Sequence, residues 1–177
     1  MASKKETFAL YVRTFVFGVE DSLVSTVGLL SGVALAGASR NTILLSGSIL
    51  IFVEAFSMGV GSLLSEHQAE KYLARRDVPI LHSAIAGVLM FISYLGAGFI
   101  PLAPYLYYEN HTAVILSIAF ALLALFVLGL VSAAIFKTRL LRNAFEMLII
   151  GGLAIVVGIA VGRLVEGASH SGSLARL

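Results

Sequence analysis

Polar residues interrupt this chain at intervals and leave five long apolar runs between them. The runs extend from about Arg13 to Ala38, from Thr42 to Leu64 with a polar helical extension to Tyr72, from Ile80 to Tyr108, from Thr112 to Phe136 and from Asn143 to Val165. Each reaches the roughly 20 residues that an α-helix needs to cross a hydrocarbon core about 30 Å thick. The joints between them are short and polar: ASRN, EKYLARRD, ENH and KTRLLR. None has room for a water-soluble domain. The pattern therefore predicts an all-α integral membrane protein, a single five-helix transmembrane domain over residues 1–177, with helices near 13–38, 42–72, 80–108, 112–136 and 143–165.

Composition agrees, since the chain is 59% hydrophobic and its mean hydropathy of +0.98 lies outside the range of soluble domains. Lysine and arginine orient the helices, because cytosolic loops carry the excess of positive charge. Nine fall on the side of the N-terminus: Lys4, Lys5, Arg13, Lys71, Arg75, Arg76, Lys137, Arg139 and Arg142. Only Arg40, Arg163 and Arg176 fall on the other. This asymmetry predicts a cytosolic N-terminus and, after five spans, a C-terminus across the membrane. Lys4 and Lys5 ahead of an apolar stretch, with Ala34-Leu35-Ala36 further on, imitate a secretory signal, but the stretch is too long for one and carries Glu20 and Asp21. No basic run is interleaved with aromatics, so a nucleic-acid partner is not expected. With no cysteine, any metal must be held by oxygen, imidazole or thioether ligands. No phosphate-binding loop, HExxH pair or partnered nucleophile is present, so the chain does not read as an enzyme.

Carboxylates inside the apolar runs are the chemistry that stands out. On insertion scales a charged side chain at mid-bilayer costs about 2.5–3.5 kcal/mol, so such groups face a bundle interior, a water-filled path or a partner. Glu20 and Asp21 lie about two turns into the first run, Glu54 in the middle of the second, and Glu146 near the start of the fifth, at a depth expected to be comparable to that of Glu20 and Asp21. Residues three and four apart share a helix face. Asp21, Ser25, Gly28 and Gly32 make one such stripe; Glu54, Met58, Gly61 and Ser65 make another, flanked by Ser57 and Ser62. Facing each other, they would line a path with carboxylate and hydroxyl oxygens and one thioether, a set suited to a divalent first-row cation. A pathway for Mg2+ or Ca2+ has no use for Met58.

Plainer roles compete with this one. Met58 could be packing filler. Gly28-x-x-x-Gly32 and Gly158-x-x-x-Gly162 fit helix contacts, and Glu146 can pair with Arg142 one turn earlier. Glu66, His67 and Glu70 at the end of the second helix could collect cations where ions come in, or form a solvated helix end. His82, His111 and His170 read as interfacial. Pro101 and Pro104 should kink or end the third helix, and Tyr105, Tyr107 and Tyr108 fit an interfacial aromatic belt.

Four segments together resemble the vacuolar iron transporter family. VFGVEDSLVSTVGLLSGV resembles its FGxxDGLVS signature, FSMGVGSLLS its SMxxGExxS, LGAGFIPLAPYL its LGxxIPLxPY, and RNAFEMLIIGGLAIVVGIAVGRLV the pattern of its last helix. The likeness covers residues 12 to 165. It implies a homodimer that moves ferrous iron or manganese out of the cytosol in exchange for protons, with the ion path at the dimer interface and no permanently bound cofactor. Asp21 matches the family's pathway aspartate, Met58 its methionine and Glu146 its last-helix glutamate. The Gly-rich faces would let helices approach closely at such an interface. Glu54 then joins Asp21 and Met58 as a metal ligand, with Glu20 and Glu146 supporting or coupling protons. The chain departs from the family at Ser62, where a glutamate is usual, and at Ser22, where glycine is. Its joint between the second and third helices, about fifteen residues, lacks the carboxylate-rich segment of metal-collecting members. These features imply a minimal carrier in a lipid bilayer, with Fe2+ or Mn2+ as substrate. A prokaryotic plasma membrane is the expected location and a vacuolar membrane the alternative. Its rivals are a channel-like path for cations or protons and a structural membrane subunit.

Overall fold

The computed structural model describes residues 4–174. Arg176 lies outside them, and so do the side chains of Lys4, Asn110 and residues 165–174, including His170. The described residues form α1 (Lys4–Leu35), α2 (Arg40–Ala74), α3 (Leu81–Leu102), the single turn α4 (Pro104–Tyr107), α5 (Asn110–Phe136) and α6 (Leu140–Leu174), with no strand among them. Five of these helices are long and apolar enough to cross a membrane. The short joints are built by local chemistry. α1 stops because Gly37 takes a left-handed φ of +77°, and its N–H and that of Ala38 turn back to Ala34 O and Val33 O, satisfying carbonyls that the helix end would leave free. Two residues later Ser39 caps α2 by accepting from Thr42 N at 3.3 Å.

The third span is shorter than the apolar pattern predicts. It ends at Leu102 rather than Tyr108, because Pro101 and Pro104 each remove a backbone donor. The carbonyls at this break find other partners. Ser117 Oγ of α5 donates to Pro101 O at 2.7 Å, and Arg40 donates from Nε to Tyr105 O at 2.7 Å and from Nη2 to Leu106 O. Arg40, one of three basic residues on its side by sequence, is thereby a clamp on the end of α4.

α1 is the hub: it packs on α2, α3, α5 and α6, whereas α2 and α6 share no extensive contact. About half of the α1 and α3 spans is buried, against 28% for α2 and 17% for α6, so α2 and α6 form the periphery. The outer face of α2, with Leu45, Ile49, Phe52, Val53 and Phe56, is apolar and exposed, as lipid contact requires. Small residues set the close approaches. Gly59 and Gly87 bring the α2 and α3 backbones together, and Gly28 and Gly32 meet Gly158 and Gly162. The Gly-rich faces expected at a dimer interface are thus consumed within one subunit, where α1 and α6 come into backbone contact.

The α1–α6 contact is asymmetric. A Cβ on Gly158 would stand 2.8 Å from Gly28 Cα, whereas a Cβ on Gly28 would find Gly158 Cα at a comfortable 3.9 Å. Gly158→Ala should therefore force the helices apart and cost about 1–3 kcal/mol, as overpacking does. Gly28→Ala should leave thermal unfolding in detergent near that of the wild type. Equal melting shifts for the two would contradict this contact.

Candidate metal site in the membrane

The site is organised by how tightly α3 lies against the FGVED segment of α1. At Gly18 a side chain would collide with Ser93 Oγ and with Met90, whose Sδ lies 3.0 Å from the Cβ position. With that obstacle absent, Ser22 Oγ donates to Tyr94 O at 2.6 Å and Ser25 Oγ shares a hydrogen bond with Tyr94 Oη at 2.7 Å. Ser22, which stands where the family signature has glycine, thus stitches α1 to α3. Tyr94 is wholly buried. Asp21 and Glu54, both half-buried, act electrostatically on its hydroxyl, and Glu54 acts on Asp21.

The rest of the stripes diverges. Gly28 and Gly32 turn to α6. Met58, Gly61, Ser62 and Ser65 line a cavity of about 400 Å3 between α1, α2 and α3, together with Arg13, Thr14 and Glu66. Asp21 is not among its lining residues. A helix with four neighbours cannot present one stripe to a single partner, because crossing helices take its successive turns to different sides. Tyr94 and Met90, which share these surroundings, escaped the sequence reading. A tyrosine in the middle of an otherwise apolar span was the available signal, since tyrosines at span ends have an interfacial explanation.

The remaining candidates are scattered. Glu66 accepts from Arg13 Nη2 at 2.5 Å, while Glu70 accepts from Ser83 Oγ of α3 at 3.1 Å; His67 keeps Nδ1 buried without a hydrogen bond. Glu146 accepts from Arg142 Nε at 2.8 Å on its own helix, with both side chains exposed. The matched glycine pairs fix α1 and α6 parallel and in a constant register. That register sets Glu146 level with Val16, one turn nearer the Arg13 end than Glu20. Glu20 itself is half-buried beside Asp21, on the turn before Val24, which packs near Gly151 of α6. Among the described residues no group of three or more His, Asp or Glu side chains forms a metal-holding cluster.

Five membrane-length helices, two of them carrying half-buried carboxylates, define a polytopic membrane protein. The sequence model of the VIT family matches residues 12–80 and 74–163, and the chain belongs to that family. Vacuolar iron transporter homolog 2 of Arabidopsis thaliana is 29% identical over 168 residues, covering 88% of this chain and 84% of that protein. Vacuolar iron transporter homolog 5 of Oryza sativa subsp. japonica is 30% identical over 173 residues, covering 87% and 79%. Vacuolar iron transporter 1 of Arabidopsis thaliana is 34% identical over a shorter stretch of 76 residues, 42% of this chain and 30% of its own length.

Removing the Tyr94 hydroxyl tests the α1–α3 seam. Tyr94→Phe keeps the ring and deletes one hydrogen bond, so it should lower stability by about 0.5–1.5 kcal/mol. Melting of the purified protein measures this, and an unchanged midpoint would show that Ser25 gains nothing from Tyr94.

Proposed function

We propose that this chain is a proton-coupled carrier that exports divalent transition-metal ions, Fe2+ or Mn2+, from the cytosol, working as a homodimer. The observation that carries the reading is the placement of Asp21 and Glu54, both half-buried, on the membrane-length helices α1 and α2, which pack on each other, with Met58 one turn beyond Glu54. Membership of the VIT family and the names of its relatives support metal-ion transport. Asp21, Glu54 and Met58 are the metal ligands in this proposal. Binding a cation needs ionised carboxylates, so metal and protons compete for the same oxygens, which is the requirement for exchange. Glu20, beside Asp21, supports the site's negative charge, and Glu146 does so from near the mouth.

A single subunit supplies two carboxylates and one thioether, fewer donors than an octahedral first-row ion takes. A two-fold partner seated on the open side between α2 and α6 doubles each of them. The nine-to-three distribution of basic residues supports a cytosolic N-terminus, so that metal reaches the site from the end holding Arg13 and Glu66.

Proteoliposomes containing an internal pH dye decide the matter. Wild-type protein should carry Fe2+ or Mn2+ with opposite proton movement. Asp21→Asn should abolish that flux while the dimer still assembles, and Met58→Leu, which conserves volume, should lower it by about tenfold, the low end for loss of a metal-site partner. Metal flux without proton counter-movement would establish a passive channel instead. Absent flux in correctly inserted protein would leave a structural subunit.

A further inference from the structure

The joint between α2 and α3 carries apolar and basic side chains that the rest of the described subunit leaves uncovered. Tyr72 and Leu73 are 83% and 81% exposed, and Ile80 and Leu81 across the turn are also open. Arg75 and Arg76 stand between them, exposed as well. The acidic neighbours are already engaged. Asp77 meets Lys71 Nζ at 3.2 Å, and Glu70 accepts from Ser83 Oγ of α3. Among the described residues neither arginine has a carboxylate partner.

The depth of this joint is fixed by α3. That helix has 22 residues, about 33 Å at 1.5 Å each, which barely exceeds a hydrocarbon core of about 30 Å. Its first turn therefore lies at the membrane boundary. The Glu70–Ser83 hydrogen bond sets the last turns of α2 beside that first turn. Tyr72 and Leu73 then lie at the same boundary, with the arginines in the headgroup layer beyond it. An aromatic ring and aliphatic chains at that level have an apolar layer to enter. Guanidinium groups there meet phosphate, which they bind through paired N–H donors. Arg75 ends α2 with a left-handed φ of 49°, a position where glycine is the usual residue, so the chain places charge here against the backbone's preference.

We propose that the α2–α3 joint is a binding surface for anionic phospholipid, with Arg75 and Arg76 holding the phosphate headgroup and Tyr72, Leu73, Ile80 and Leu81 lying against the acyl chains. The count of basic residues gave the two arginines a side of the membrane; this gives them a ligand. The occupant is a lipid rather than a protein because uncommitted positive charge and apolar groups coincide at the level of a negatively charged leaflet. The proposal stands apart from the transport reading and needs only the depth that α3 imposes.

The chain contains no tryptophan, so a single introduced one reports its own surroundings. Full-length protein carrying Tyr72→Trp is placed in phosphatidylcholine nanodiscs with increasing amounts of acyl-brominated phosphatidylglycerol or acyl-brominated phosphatidylcholine. An arginine beside an anionic surface contributes about fivefold in affinity, so half-quenching should need at least about fivefold less of the brominated phosphatidylglycerol. Adding Arg75→Gln and Arg76→Gln should remove that preference. So should about 1 M salt, which shortens electrostatic reach to about 3 Å. Tyr107→Trp, at the other end of the bundle and 80% exposed, should show no preference. Every substituted side chain is exposed, so the variants keep the packing of the bundle. Equal quenching by the two lipids at Tyr72→Trp, a preference that survives both glutamines, or the same preference at Tyr107→Trp would overturn the lipid surface. Fluorescence that neither lipid quenches would do so too, since the joint would then stand clear of the membrane.

Discussion

In lipid, apolar side chains gain nothing by leaving the solvent for one another, so this bundle depends on how closely its backbones can approach α1. Gly18 admits α3, and Gly28 with Gly32 admits α6 through Gly158 and Gly162. Close approach shortens hydrogen-bond reach between helices, and the Ser22 and Ser25 contacts with Tyr94 follow from it. The hub position of α1 then settles the surroundings of Asp21. It lies on the helix that packs extensively on all four of the other spans.

The polar groups sort by depth. Near the Arg13 end, carboxylates are neutralised locally: Glu66 by Arg13, Glu146 by Arg142. The exposed Arg142–Glu146 pair contributes about 0–1 kcal/mol, while Glu66, 19% exposed, relies on an Arg13 side chain that is itself mostly exposed. Further in, Asp21 and Glu54 have each other and the Tyr94 hydroxyl in their field. Carboxylates carried inside membrane-length helices are costly there without a partner, and this is the physical basis of the exchange role proposed for them.

Peripheral α2 is a carrier of donors as much as a membrane span. Its outer face is apolar, while Glu54, Met58 and Glu66 follow one another along its inner side and toward its end. The far end of the bundle is built differently. There two prolines break α3 from α4, and Ser117 and Arg40 bond the carbonyls of Pro101 and Tyr105 near the two helix ends. A proline-broken end clamped by Arg40 and Ser117, and an open cavity at the other end lined by Arg13 and Glu66, give the subunit a direction that hydropathy alone does not contain.

Much of this was legible in the sequence. Five spans were readable because lipid demands about twenty apolar residues at a stretch, and the intramembrane carboxylates stood out because they are costly there. The family was legible from four motifs in order. Tertiary structure alone decided the rest. Helical periodicity places residues on a face without saying which neighbour takes that face, so Gly28 and Gly32 went to α6 while Ser25 went to Tyr94. Met90 and Arg13 joined Met58 and Glu66 only because α1, α2 and α3 cross at one end of the bundle, and crossing geometry is set by packing between helices, which no single helix's sequence specifies.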